Sequence, residues 1–277
     1  LNQPPVLTRT WFHTGTYLDR DRVLHQLREE YYQQRTFLPE PILPPELDAA
    51  EVRECLRALR GAAVRSETYG LDESERQAHP YAIAEQGYEV RVIQRRGEGR
   101  HAVFHPVARE SIGLASERDP TDPRIAHTIN LEHGPYGDVV RAAAIVYGRR
   151  VDDASLPAEV QGAQRQSFIT YNEVDFTVGH DQVAPTPVYR LRVPYRSRSW
   201  EITGVAAAGE LFGFTELESA IGGTNEIPYE QPADGTPQRR VVNDQRTVFA
   251  NNNLVPMPPG QWDTLGLVDR TLRLAFT

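Results

Sequence analysis

The chain contains no lysine, so the positive charge of its 277 residues comes from arginine alone. Acids outnumber bases and the net charge is −8. That balance excludes the basic footprint of a nucleic-acid binder and disfavours a surface of anionic lipid. Cysteine is nearly absent as well. Cys55 stands alone, cannot form an internal disulfide and says little about compartment. No apolar run approaches the length of a bilayer span, and no signal peptide opens the chain. The starting methionine is also missing, and "LRLAFT" at the other end is an apolar, strand-like run without a closing turn. Both ends read as cuts, so the expectation is a fragment of a larger protein. At this length it can still bury a core.

What is present divides into helical and extended patterns. In "DRDRVLHQLREEYY", Val23, Leu24, Leu27 and Tyr31 form an apolar stripe at helical spacing, with Asp21 as the expected cap. In "DAAEVRECLRALRG", Asp48 and Glu51 have the spacing of a capping box. Val52, Cys55, Leu56 and Leu59 make the face expected to be buried, and Gly61 fits the stop. Between the two helices, the prolines of "LPEPILPPE" prevent either from continuing.

After Gly61 the period changes to two. "YEVRVIQRRGEGRHAVFHP" predicts a hairpin turning at residues 97–99, and "RIAHTINLEHGPYGDVVRAAAIVYGRR" predicts another. Ile125, His127, Ile129 and Leu131 share one face of the latter, and its return strand runs from Val139 to Tyr147. Further strands are expected at "SFITYNEVDFT", "VYRLRVPYRSRSWEITG" and "RRVVNDQRTVFA", and a short helix at "TELESAIG". "ASERDPTDP", "VDDASLPAEVQGAQ" and "PYEQPADGTPQ" read as loops. The fold class that follows is mainly β: an antiparallel, curved sheet built from hairpins, with two or three covering helices. No change of composition marks a domain boundary, so residues 1–277 are expected to form a single region.

The candidate chemistry fails on geometry. His101 and His105 have a zinc-like spacing, but on a strand they stand roughly 13 Å apart at about 3.3 Å per residue. His127 lies on an apolar face, as a hydrogen-bonded core histidine does. Gly97, Glu98 and Gly99 precede a strand, whereas a phosphate loop needs a helix N-terminus. Glu216 and Glu218, with Arg198 and Ser199 upstream, resemble the paired glutamates of ADP-ribosyltransferases. They fall in a predicted helix, where residues two apart do not face each other. Cys55 lies on the apolar stripe of its helix, where a thiol is an inert hydrophobe. No catalytic, cofactor-binding or metal-ligating residue is therefore assigned, and no cofactor.

One resemblance covers nearly the whole chain. "PPVLTRTWFHTG", "REEYY", "ALRGAAVRSETYGLD", "HPYAIAEQGYEVRVIQ", "HAVFH", "ERDPTDPRIAHTINLEHGPYGDVVRAAAIVYGRR", "FITYNEVDFT", "RTVFANNNLVPMPPG" and "LRLAFT" follow one another in order. This series resembles the middle/C-terminal region of the B component of insecticidal toxin complexes, the TcdB/TcaC-like, SpvB-related proteins. The resemblance implies a secreted, non-catalytic segment of a hollow β-sheet shell. The B component builds that shell with an Rhs-repeat C component around a toxic cargo, and docks on an A component. It implies no contact of this region with nucleic acid or membrane. The cut ends add an expectation of self-association through edge strands at Leu1–Trp11 and Thr271–Phe276. Two other classes stand beside it: an ADP-ribosyltransferase-type enzyme, and an independent carbohydrate- or protein-binding β domain.

Overall fold

The computed structural model describes residues 4–182 and 188–275. Thirteen strands and four α-helices alternate along it. They are β1 (Val6–Phe12), α1 (Arg20–Glu29), α2 (Ala49–Ala58), β2 (Ala63–Gly70), β3 (Ala82–Gln94), β4 (Val103–Ala115), β5 (Arg124–His133), β6 (Val139–Val146), α3 (Ala158–Gln164), β7 (Phe168–Phe176), β8 (His180–Gln182), β9 (Val188–Arg190), β10 (Pro194–Thr203), α4 (Phe214–Gly222), β11 (Asn225–Glu226), β12 (Gln238–Ala250) and β13 (Leu267–Arg273). Eleven strands join one sheet in the order β1-β2-β3-β4-β5-β6-β7-β10-β12-β11, with β13 also on β12. β8 and β9 pair separately. The two-residue β11 runs parallel to β12, and every other recorded strand pair is antiparallel. The expected mainly β, hairpin-built architecture is therefore what the chain adopts.

The packing divides into two compact units, Leu1–Asn130 with Ile145–Ser167, and Leu131–Ala144 with Phe168–Thr277. In the first, α2 supplies Cys55 and Leu56, and Leu59 just after it, to a core that includes Val90 of β3, with Val52, Tyr88 and Phe104 packed against it. This helix forms where the sequence placed it. The Asp48 carboxylate accepts from the Ala50 and Glu51 amides, both at 2.8 Å, and the Glu51 carboxylate reaches back to the Asp48 amide. Both ends of the reciprocal cap are thus made. Gly61 follows with φ +83°, a left-handed conformation that costs glycine nothing.

The β3–β4 hairpin pairs from Ala82↔Ala115 to Gln94↔Val103, with bulges at Gly87/Tyr88 and Val92/Gln94. It is longer than the sequence pattern suggested, because β4 runs on through Pro106 to Ala115. On β5 the predicted face is correct: Ile125, His127 and Ile129 are buried, with Leu131 half-buried. In the second unit the buried residues include Ile169, Tyr171, Trp200, Ile202, Leu217, Ile221 and Phe249.

Several expectations need correction. Asp21 does not cap α1. The cap position is Asp19, in a left-handed conformation and without a side-chain bond, and Asp21 lies in the first turn. Residues 158–164, read as loop, form α3, because a proline at a helix start loses no hydrogen bond the helix needs. The single strand expected over 188–204 is two, β9 and β10, separated at residues 191–193. The second begins at Pro194, and a strand tolerates proline best at its first residue, where the missing N–H breaks no ladder bond. Of the terminal strands, β1 pairs with β2 and β13 with β12, and each has that single partner among the described residues. Phe276 lies outside the described residues.

Candidate functional site

The sequence-predicted candidates are dispersed. His101 precedes β4 instead of lying on it, because Glu54 of α2 captures this stretch first. The Glu54 carboxylate contacts His101 Nδ1 at 2.7 Å and accepts from the Ala102 amide at 2.8 Å. His105 is within β4, opposite Arg91. His127 Nδ1 contacts the Tyr147 hydroxyl at 3.0 Å, and its Nε2 stands 3.5 Å from Glu110, so it is a core histidine with polar neighbours. Glu216 closes the N-terminus of α4, accepting from the amides of Ala208 at 2.6 Å and Gly213 at 3.0 Å. Glu218 is exposed. Arg198 pairs with Glu173 at 3.0 Å, and the Ser199 hydroxyl donates to Asn172. Cys55 is fully buried, and burial pushes its thiol up to about 11. Among the described residues no group of three or more His, Cys, Asp or Glu is placed to hold a metal ion.

The strongest constellation is one the residue pattern did not flag. Arg65, Glu67 and Tyr69 alternate along one face of β2, and Glu85 of β3 stands opposite Arg65 in the ladder. The side chains of Arg65, Glu67 and Glu85 are at most 5% exposed. Arg65 Nε donates to Glu67 at 2.6 Å, and Nη1 donates to Glu85 and to the Arg35 carbonyl. The Tyr69 hydroxyl donates to Glu67. The remaining carboxylate capacity faces the segment that follows α1. Glu67 accepts from the Tyr32 amide at 2.9 Å, and Glu85 accepts from the Phe37 and Leu38 amides at 2.8 and 2.9 Å. Tyr31 lies over the Arg65 guanidinium at 4.8 Å and packs edge-on against Trp11. Desolvation raises the Tyr69 hydroxyl far above its ordinary range, and the adjacent Glu67 adds to this, so it remains a donor.

The arrangement satisfies backbone donors that neither helix nor sheet can serve. A buried pair of this kind needs its spare lone pairs filled, and here main-chain amides fill them. Only part of the signal lies in the sequence: arginine, glutamate and tyrosine on alternate residues of "AVRSETYG" make a polar strand face, but nothing local shows that it is buried.

Beside it, β1, α1, α2 and β3 enclose a cleft of about 60 Å³. That is far below the ~300 Å³ at which small-molecule pockets begin. His13 lines it, and burial, with the nearby Arg20 charge, lowers its imidazole to about 4. A second, shallow hollow at the β3–β4 turn is lined by Arg95, Arg96, Glu51 and the 97–99 backbone. Arg95 is already paired to Glu51 there, at 3.0 Å. No helix of the described residues is long and apolar enough to cross a membrane.

What fold and site define together is a mainly β region whose buried charged cluster holds its own main chain. Residues 54–181 match the family described as the insecticide toxin TcdB middle/C-terminal region. Solved structures extend the likeness over nearly the whole chain. The TcdB2–TccC3 crystal structure matches with a TM-score of 0.71 and 25% identity over 97% of this chain. TcdB2–TccC3–Cdc42 matches with 0.74 and 25% over 99%. The Photorhabdus luminescens Tc holotoxin pore matches with 0.71 and 26% over 97%. In each case the chain spans about 13% of the matched chain's length. No curated protein matches it. The chain is thus similar in fold over nearly its whole length, and in sequence over residues 54–181, to that region of toxin-complex proteins.

Proposed function

We infer that this chain is a non-catalytic segment of the B component of a Tc-type insecticidal toxin complex, one region of a longer, secreted protein. Its eleven strands would form part of the β-sheet shell that encloses a toxic cargo together with an Rhs-repeat C component, in an assembly docked on an A component. The observation that carries this reading is the match of 97–99% of the chain to about 13% of chains solved as TcdB2–TccC3 and as the Tc holotoxin pore. The sheet fits a wall segment for a physical reason. Its outermost long strands, β1 and β13, keep one edge open among the described residues, and an open edge is a template for another strand. Isolated, the chain should therefore self-associate as concentration rises, which light scattering reads.

The test is reconstitution of the parent B component with an Rhs-repeat C component. Intact B should co-purify with C and shield the cargo from added protease. A B component with residues 1–277 replaced by a flexible linker should lose that shielding. Retained shielding would remove this region from the shell, and NAD turnover by the purified chain, lost on Glu218→Ala, would replace the reading with an enzymatic one.

A further inference from the structure

We propose that α1 is a flap that opens independently of the rest of its unit. Four observations converge on this helix. It has ten residues, near or below the length at which a helix is marginal in water without packing, and none of its residues is buried. Its N-terminus lacks a side-chain cap. The chain is fixed on either side of it. Gly15, at φ +72°, passes so close to α2 that an added Cβ would lie 3.0 Å from Arg60 Cβ. Tyr31 and Tyr32 are fixed by the Trp11, Arg65 and Glu67 contacts. Between these anchors the helix lines the 60 Å³ cleft with Val23, Leu24 and Leu27, together with Leu56 of α2 and Leu59 just after it.

What holds it shut is polar and at the surface. Glu40, in the segment before α2, accepts from Arg20 at the first residue of α1 and from Arg28 in its last turn, so one carboxylate spans the helix. These side chains are about one-third to two-fifths exposed, in the range where ion pairs contribute little and salt weakens them. A helix with no buried residue, latched by one carboxylate and hinged at two fixed points, belongs to the low-stability end of the molecule. Opening would uncover the apolar side of α2 without disturbing the Arg65 cluster.

Residue-resolved hydrogen exchange on the whole chain tests this. Amides of α1 should exchange at least about 100-fold faster than those of α2. Glu40→Gln, or raising the salt to 1 M, should accelerate α1 further and leave α2 and β3 unchanged. Val90→Ala, in the core against α2 but not lining the cleft, should do the reverse, accelerating α2 with little effect on α1. If α1 exchanges as slowly as α2, or if Glu40→Gln accelerates both equally, the helix is part of the global unit and the flap does not exist. An α1 exchange rate that Glu40→Gln leaves unchanged would overturn the latch.

Discussion

Two clusters, one in each unit, use the same chemistry, arginine against carboxylate, in opposite ways. In the first, Arg65, Glu67 and Glu85 are sealed from water and their spare acceptors hold main-chain amides of the segment that follows α1. In the second, the ion pairs lie across a sheet face. Arg196 grips Asp244 through Nε and Nη2 at 2.9 and 2.5 Å, and Arg198 reaches Glu173, with side chains 16–26% exposed. The difference teaches that an ion pair's role depends on what else its atoms serve. A buried carboxylate that also accepts from backbone is a joint between segments. A half-exposed one on a sheet is a cross-strand contact of modest value.

Mutations can break or sharpen that contrast. The largest effect is expected at Arg65→Ala, which leaves two carboxylates buried without their cation and should cost about 3–5 kcal/mol in urea unfolding. A cost below about 1 kcal/mol would show that the cluster is not sealed. Next come the apolar cores. Leu56→Ala and Leu217→Ala, at 5% and 0% exposed, should each cost about 2–5 kcal/mol. A Leu56→Ala variant within about half a kcal/mol of wild type would mean that α2 does not rest on the sheet. Arg196→Ala should cost only about 1 kcal/mol, because its site is partly solvated. A loss equal to that of Arg65→Ala would erase the distinction between the two clusters.

The smallest effect concerns acid. The Asp72 carboxyl is held well below the usual carboxylate range, first by its paired hydrogen bonds from Arg118, with Ser74 adding to them. A depressed folded-state value stabilises above the unfolded value of about 3.9, and that stability is lost as pH falls below it. Stability measured from pH 5 down to pH 2 should therefore fall less steeply in Arg118→Gln than in wild type. Equal slopes would show that this pair is not coupled to folding.

How much of this was legible depended on whether the deciding interaction is local. The α2 cap involves residues three apart, and the β3–β4 turn and the β5 face are set by short-range periodicity, so the sequence pattern suffices for each. The Arg65 cluster joins residues up to 48 apart, Phe37 to Glu85, and no local count shows that a polar strand face will be covered. The same limit explains α1, whose apolar stripe is real but lies over a cleft instead of inside a core. It explains Glu216 too. Its value is a cap on α4, so the pairing with Glu218 that suggested an enzyme has no structural counterpart.

The Glu67 and Glu85 contacts carry a consequence for how this region can vary. Both carboxylates accept from amides at Tyr32, Phe37 and Leu38, and an amide is offered by every residue but one. At these three positions the attachment itself therefore does not depend on which side chain is present. At those three positions proline alone would remove the attachment. A saturation library over the segment should return nearly all residues at 37 and 38 and reject proline there, although proline already stands next door at position 39.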